Sequence, residues 1–203
     1  MSSRLSVLKI GGSVLRGERS YGSVARFLQT RLTLNQDERL VVIVSAQYGT
    51  TDELQAEAQT IADDPSQTAL DLLWSTGELR SVALLALHLQ KLGVSAVPFN
   101  VHQTGLVSDR ATGTSVRPLR LRAALAHARI VVVPGFLGVS AGGAIASLGR
   151  GGSDLTAVLL ASAIPGEDRV GERRRRSVAQ VGIDAHFDAV RGQHFERSGE
   201  RRL

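Results

Sequence analysis

Apolar residues fall into two rhythms along this chain. Continuous apolar runs of strand length recur at residues 5–10, 40–45, 94–99 and 130–133, the pattern of parallel strands covered on both faces. Between them, apolar residues return every three or four positions over 21–32 and 52–62, and a strongly apolar helical stretch fills 71–92 around Gly77. Further helices are predicted over 117–128, with Pro118 in the first turn, and over 154–163. Strands therefore alternate with helices in the order βαβααβαβα, with longer loops before the last two helices. That alternation predicts an α/β fold, a three-layer α/β/α sandwich with a mainly parallel central sheet. Ligands of such sheets collect beyond the carboxyl ends of the strands.

Composition narrows the picture. At 203 residues and 43% hydrophobic content the chain can bury a full core. The absence of cysteine excludes disulfides, thiolate metal sites and a thiol nucleophile, and fits a reducing compartment. No stretch approaches a membrane span, so a cytoplasmic protein without a membrane partner is expected. The net charge of +5 comes almost entirely from arginine, since Lys9 and Lys91 are the lysines, and aromatic residues make up only 4%. Nucleic acid is therefore not an expected partner, there being too few stacking platforms.

Chemistry-bearing residues gather where strands end or helices begin. The run Leu-Gly-Arg-Gly-Gly-Ser-Asp at 148–154 opens an apolar helix. Gly151 and Gly152 let backbone N–H groups approach a ligand, and the helix start favours an anion. Arg150 offers a planar fork for a carboxylate, Ser153 a hydroxyl, and Asp154 a carboxylate for an amino group or a metal-bound water. After the first strand, Lys-Ile-Gly-Gly-Ser at 9–13 places Lys9 beside Gly11, Gly12 and Ser13, suited to phosphate oxygens and to a transferring phosphoryl group. An ordinary strand-to-helix turn with a solvated lysine is the plainer alternative. Thr51 follows the second strand as a ligand contact, or Thr51 or Asp52 is simply a helix N-cap. Glu78, next to Gly77 in a helix that reads as buried, meets a substrate ammonium, or else faces solvent on the outer side of the helix. Phe136, after Pro134 and Gly135, walls a pocket or belongs to the core, and Gly142 and Gly143 form the turn of a hairpin-like connection onward. The five histidines form no metal-ligand spacing, so no protein metal site is expected.

In this order the segments resemble the catalytic domain of aspartokinases within the amino acid kinase family. Lys-Ile-Gly-Gly-Ser, Val-Ser-Ala followed by Thr-Thr-Asp-Glu-Leu, Ser-Thr-Gly-Glu, Gly-Phe-Leu-Gly and Leu-Gly-Arg-Gly-Gly-Ser-Asp-Leu-Thr-Ala each match a family motif, over about residues 5–166. The resemblance implies phosphoryl transfer from ATP with Mg2+ to the side-chain carboxylate of L-aspartate, giving 4-phospho-L-aspartate for lysine, threonine and methionine synthesis. It implies catalytic roles for Lys9 and Asp154, and ATP contacts from Lys9, Gly11, Gly12 and Ser13. Aspartate contacts are implied for Thr51, Glu78, Phe136, Arg150, Gly151, Gly152 and Ser153, with Glu78 facing the amino group and Arg150 a carboxylate.

Two departures accompany the resemblance. Gln47 and Tyr48 replace the more usual Met-Gly. After Ala163 the family's nucleotide-binding half is missing; residues 167–203 carry nine arginines and little apolar periodicity. The expected organisation is an amino acid kinase domain over 1–166 and a divergent basic tail over 167–203, either a frameshifted or degenerate replacement or a short natural variant with a disordered end. The functional alternatives are an active aspartate kinase and a catalytically inactive aspartokinase-like protein that binds aspartate. Partner expectations are a homo-oligomer or pairing with a complete aspartokinase subunit.

Overall fold

The computed structural model describes residues 4–109, 113–149 and 151–164. Arg150 and the tail over 167–203 lie outside the described residues. The chain runs through β1 (Arg4–Ile10), α1 (Glu18–Leu34), β2 (Glu38–Val44), α2 (Thr50–Ile61), α3 (Gln67–Lys91) and β3 (Ala96–Pro98). It continues through a short 3-10 turn, β4 (Leu106–Asp109), β5 (Gly113–Val116), α4 (Leu119–His127), β6 (Ile130–Pro134), β7 (Leu137–Val139), β8 (Ile145–Ser147) and α5 (Gly152–Ala163).

The main sheet has the order β1-β2-β6-β3, and every pairing in it is parallel. Because successive strand residues point to opposite faces, each apolar run feeds two cores. Leu8, Ile10, Leu40, Val42, Val44, Ile130 and Val132 pack with α1 and α3 on one side. Val7, Val41, Ile43, Val131 and Val133 meet Leu121 and Leu125 of α4 and Ala157 and Leu160 of α5 on the other. The expected three-layer sandwich is therefore present, and its two covered faces are the reason the strands read as unbroken apolar runs.

The structure adds what periodicity missed. A second small sheet, β5-β4-β7-β8, is built from strands of three or four residues, and β5 is largely exposed. Strands so short carry no alternation to detect. The β7–β8 connection is the expected hairpin, with Gly143 at φ 85°. Helix starts also moved. Gly49 in a left-handed conformation, not Thr51 or Asp52, occupies the N-cap of α2, and α5 begins two residues before Asp154. Pro118 caps α4 from just outside its first turn. Among the described residues no helix is long and apolar enough to cross a membrane.

One buried charge ties the layers together. Glu38, 1% exposed, takes a two-pronged bond from Arg31 at 2.7 and 2.8 Å and the hydroxyl of Ser6. Burial raises the Glu38 pKa, but the bonds from Arg31 and Ser6 and the charge of Arg31 and Arg4 outweigh it and hold the carboxyl below its usual range. The stabilisation is thus present above the unfolded carboxyl pKa and is lost as pH falls through the lower folded value. Glu38→Ala is expected to destabilise by about 3–5 kcal/mol, because it leaves Arg31 without its partner. Urea denaturation at pH 7 measures this, and a change below 1 kcal/mol would contradict it.

Candidate active site

Parallel pairing brings the motifs together. Ile10 of β1 lies beside Val44 of β2, which lies beside Pro134 of β6, so the residues following these strands emerge along one edge. There they line a single pocket of about 430 Å3, in the size range of small-molecule sites. Lys9, Gly12 and Ser13 come from the end of β1, Thr51 and Asp52 from the start of α2, and Glu78 from α3. Phe136 follows β6, while Gly151, Gly152, Ser153 and Asp154 bring the first turn of α5, with its positive dipole end, to the same space. Gly11 stands behind this lining, its carbonyl accepting from the amides of Val14 and Leu15 to close the turn. Arg150 is not described, but Gly149 and Gly151 on either side of it both line the pocket.

Close packing sets these positions. At Gly77 a β-carbon would lie 3.1 Å from Thr50 and 3.2 Å from Ala46, so the glycine lets α3 press against the start of α2 and the end of β2. A glycine inside a helix is unfavourable by roughly 1 kcal/mol; here it brings Glu78 to the pocket. A β-carbon on Gly152 would come within 2.8 Å of the Phe136 ring and 3.0 Å of its Cα, and one on Gly135 within 2.6 Å of the Ser153 hydroxyl. The end of β6 and the mouth of α5 therefore touch backbone to backbone.

Phe136 holds a left-handed backbone, φ 68°, rare for a bulky residue. Its N–H donates to the Thr156 hydroxyl at 3.2 Å and its carbonyl accepts from Leu148 at 2.8 Å. Thr156 in turn donates to the Gly152 carbonyl at 2.9 Å. Behind the ring stands Trp74, its centroid 5.9 Å away. Phe136 is accordingly a half-buried pocket wall.

Both an ion pair and a buried carboxyl line the pocket. Lys9 Nζ lies 3.3 Å from Asp154 Oδ1, linking β1 to the first turn of α5. Glu78 is 4% exposed and so does not face solvent, which sets aside the outer-face alternative. Burial pushes its carboxyl up to about 8, partly offset by the N–H of Ala46 donating to it. Its Oε2 is buried with no hydrogen-bond partner among the described residues. This oxygen has room to accept from an N–H donor, ionic when the carboxyl is deprotonated.

Several lining residues were not singled out as contacts from the sequence. Ser45 Oγ donates to Ser153 Oγ at 3.0 Å, joining the end of β2 to α5. Its place at a strand's carboxyl end was the available signal. Gln47 and Tyr48 also line the pocket. Arg16 stacks over the Tyr48 ring, 5.1 Å from its centroid, and donates to the Ser13 carbonyl at 2.9 Å. The departure from Met-Gly thus braces the Gly-Gly-Ser turn.

A parallel three-layer sandwich whose strand ends gather a lysine, a glycine-rich helix start and a buried carboxyl around one pocket defines the class of α/β proteins with a small-molecule-sized site at the carboxyl ends of the strands. Residues 4–168 match the model of the amino acid kinase family, and the chain belongs to that family. It is 42% identical over 165 residues to an aspartokinase of Thermus thermophilus, an alignment covering 79% of this chain and 40% of that protein. Among solved structures, it is similar to an aspartate kinase from Synechocystis, with a TM-score of 0.69 and 35% identity over 79% of this chain and 26% of the other. It is also similar to E. coli aspartokinase III solved with lysine and aspartate, with a TM-score of 0.66 and 25% identity over 80% of this chain and 48% of the other. The chain spans about 40% of the length of the curated relatives it matches.

Proposed function

We propose that this chain performs, in the cytoplasm, the aspartate kinase reaction: transfer of the terminal phosphoryl group of ATP to the side-chain carboxylate of L-aspartate, giving 4-phospho-L-aspartate for lysine, threonine and methionine synthesis. The observation that carries the reading is the division of one pocket's lining between Lys9 with its glycine-rich turns and Glu78, buried and with no hydrogen-bond partner for its Oε2 among the described residues. An amino acid with a second carboxylate fits that division. Its ammonium meets Glu78, and its reacting carboxylate is directed toward Lys9 and the mouth of α5.

The residues fit a nucleotide's terminal phosphate. Lys9 supplies a point charge, Gly12 and Ser13 border the same wall, and the first turn of α5 adds its dipole. ATP supplies the phosphoryl group, and Mg2+, which binds largely through substrate phosphates and one or two carboxylates, neutralises its charge. Asp154, largely exposed and paired with Lys9, is the carboxylate placed to orient the reacting groups. Thr51, Ser153 and Phe136 fix the amino acid, and Arg150 takes a carboxylate. Lys9 stabilises charge on the group in transit, and no covalent intermediate with the protein is required.

Separate calorimetric titrations with L-aspartate and with Mg-ATP, together with hydroxamate trapping of the acyl phosphate, test this reading. Binding of both with hydroxamate formation is the expected result. Because the chain spans about 40% of its relatives, a second reading is an aspartate-binding protein that pairs with itself or with a complete aspartokinase subunit. Aspartate binding without ATP binding or hydroxamate would select it. Failure to bind aspartate would overturn both.

A further inference from the structure

A second cleft, of about 410 Å3, lies between α1 and α3 and shares no lining residue with the candidate active site. We propose that it binds a small multivalent oxyanion of the phosphate class, gripped by Arg19 and Arg26 of α1 and His88 and Lys91 of α3.

Charge is the first argument. Among the described residues, three permanent cations, Arg19, Arg26 and Lys91, line the cleft and no carboxylate does. The ion pairs among the described residues are Arg4 and Arg31 with Glu38, and Lys9 with Asp154; none serves this cluster. Glu18, exposed in the same first turn of α1 as Arg19, lies outside the lining. Like charges gathered without counter-charge repel, and a multivalent anion relieves them.

Position is the second argument. His88 and Lys91 occupy the last turn of α3, where a helix dipole favours cations. Arg19 stands in the first turn of α1, where the dipole opposes a cation. Helix electrostatics therefore explain the α3 pair but not Arg19.

Convergence is the third. Gly22 has no side chain, and the point its β-carbon would occupy lies 3.5 Å from His88 Nδ1 and 3.7 Å from Arg26 Nη1. Arg26 also donates to the Ser23 hydroxyl at 3.3 Å. The His88 imidazole and the Arg26 guanidinium thus both pack against the bare backbone of Gly22 and converge on the same part of the cleft.

Calorimetry on the full chain in low salt tests the proposal, with inorganic pyrophosphate and ADP as probes. The wild type is expected to bind pyrophosphate, and R26E/K91E to weaken that binding by roughly tenfold or more, since charge-assisted bonds are lost. R26Q/K91Q, which removes charge without reversing it, is expected to weaken it less but in the same direction. Aspartate affinity, read on the same samples, is expected to stay within about twofold, separating this cleft from the pocket of the proposed function. Equal loss for ADP and pyrophosphate assigns the site to the oxyanion itself; a larger loss for ADP assigns it to a nucleotide's phosphates. Pyrophosphate binding unchanged in both double variants, or absent from the wild type, would overturn the proposal.

Discussion

Glu78→Gln is expected to stabilise the chain at alkaline pH while weakening its hold on an amino acid. Glu78 is buried, and its carboxyl titrates at about 8 in the folded chain against roughly 4.3 when unfolded. The unfolded chain therefore releases a proton that the folded chain keeps. Stability from this group is present in full below the unfolded value and declines as pH rises toward 8, by up to about 5 kcal/mol. Glutamine keeps an oxygen for the Ala46 N–H but does not ionise. Wild-type melting temperature is thus expected to fall between pH 5 and pH 9, and that of E78Q to fall much less. Ligand binding runs the other way. An ammonium pairs with the ionised carboxylate, so aspartate affinity is expected to rise about tenfold per pH unit up to about 8 and then level off. E78Q should lose that slope and, above pH 8, about 10- to 100-fold in affinity, the size of a charge-assisted bond. A pH-independent aspartate affinity in the wild type would break the assignment of Glu78 to the ammonium.

The same residue marks how far the sequence could be read. The interruption of an apolar helix by Gly77 and Glu78 was visible, but solvent exposure was an open alternative, because periodicity within α3 is weak when both helix faces carry apolar residues. Only the contact of Gly77 with Thr50 and Ala46 fixes which way Glu78 points. The main sheet was legible because burial on two faces writes itself as continuous apolar runs. The small sheet was not, since β5 is mostly exposed and β7 and β8 are three residues each. Gly49 at the cap of α2 escaped notice because a hydroxyl and a carboxylate followed it, and side chains of that kind are the usual caps. The left-handed backbone of Phe136 had no signal at all: a bulky residue gives no hint of φ 68°. It follows from tertiary bonds to Thr156 and Leu148.

Lys9→Ala is expected to separate chemistry from substrate binding. Lys9 ends the parallel edge beside the mouth of α5, and its ammonium reaches Asp154 at 3.3 Å from a side chain 19% exposed. A lysine held there is placed for charge that grows on a phosphoryl group in transit, whereas the ammonium is proposed to meet Glu78. Removing a single pre-placed donor of this kind lowers turnover by about 10²- to 10³-fold. Folding should change little, because Asp154 is 63% exposed and the pair is screened by water. Aspartate affinity should stay within about threefold, since binding common to ground and transition states comes from other groups. Hydroxamate formation and aspartate calorimetry, run on the same preparation, read the two quantities separately. A parallel loss of both would place Lys9 among the groups that merely hold the amino acid. Unchanged turnover would remove it from the chemistry, and with it the argument that the strand ends of this sheet are arranged around a moving phosphoryl group.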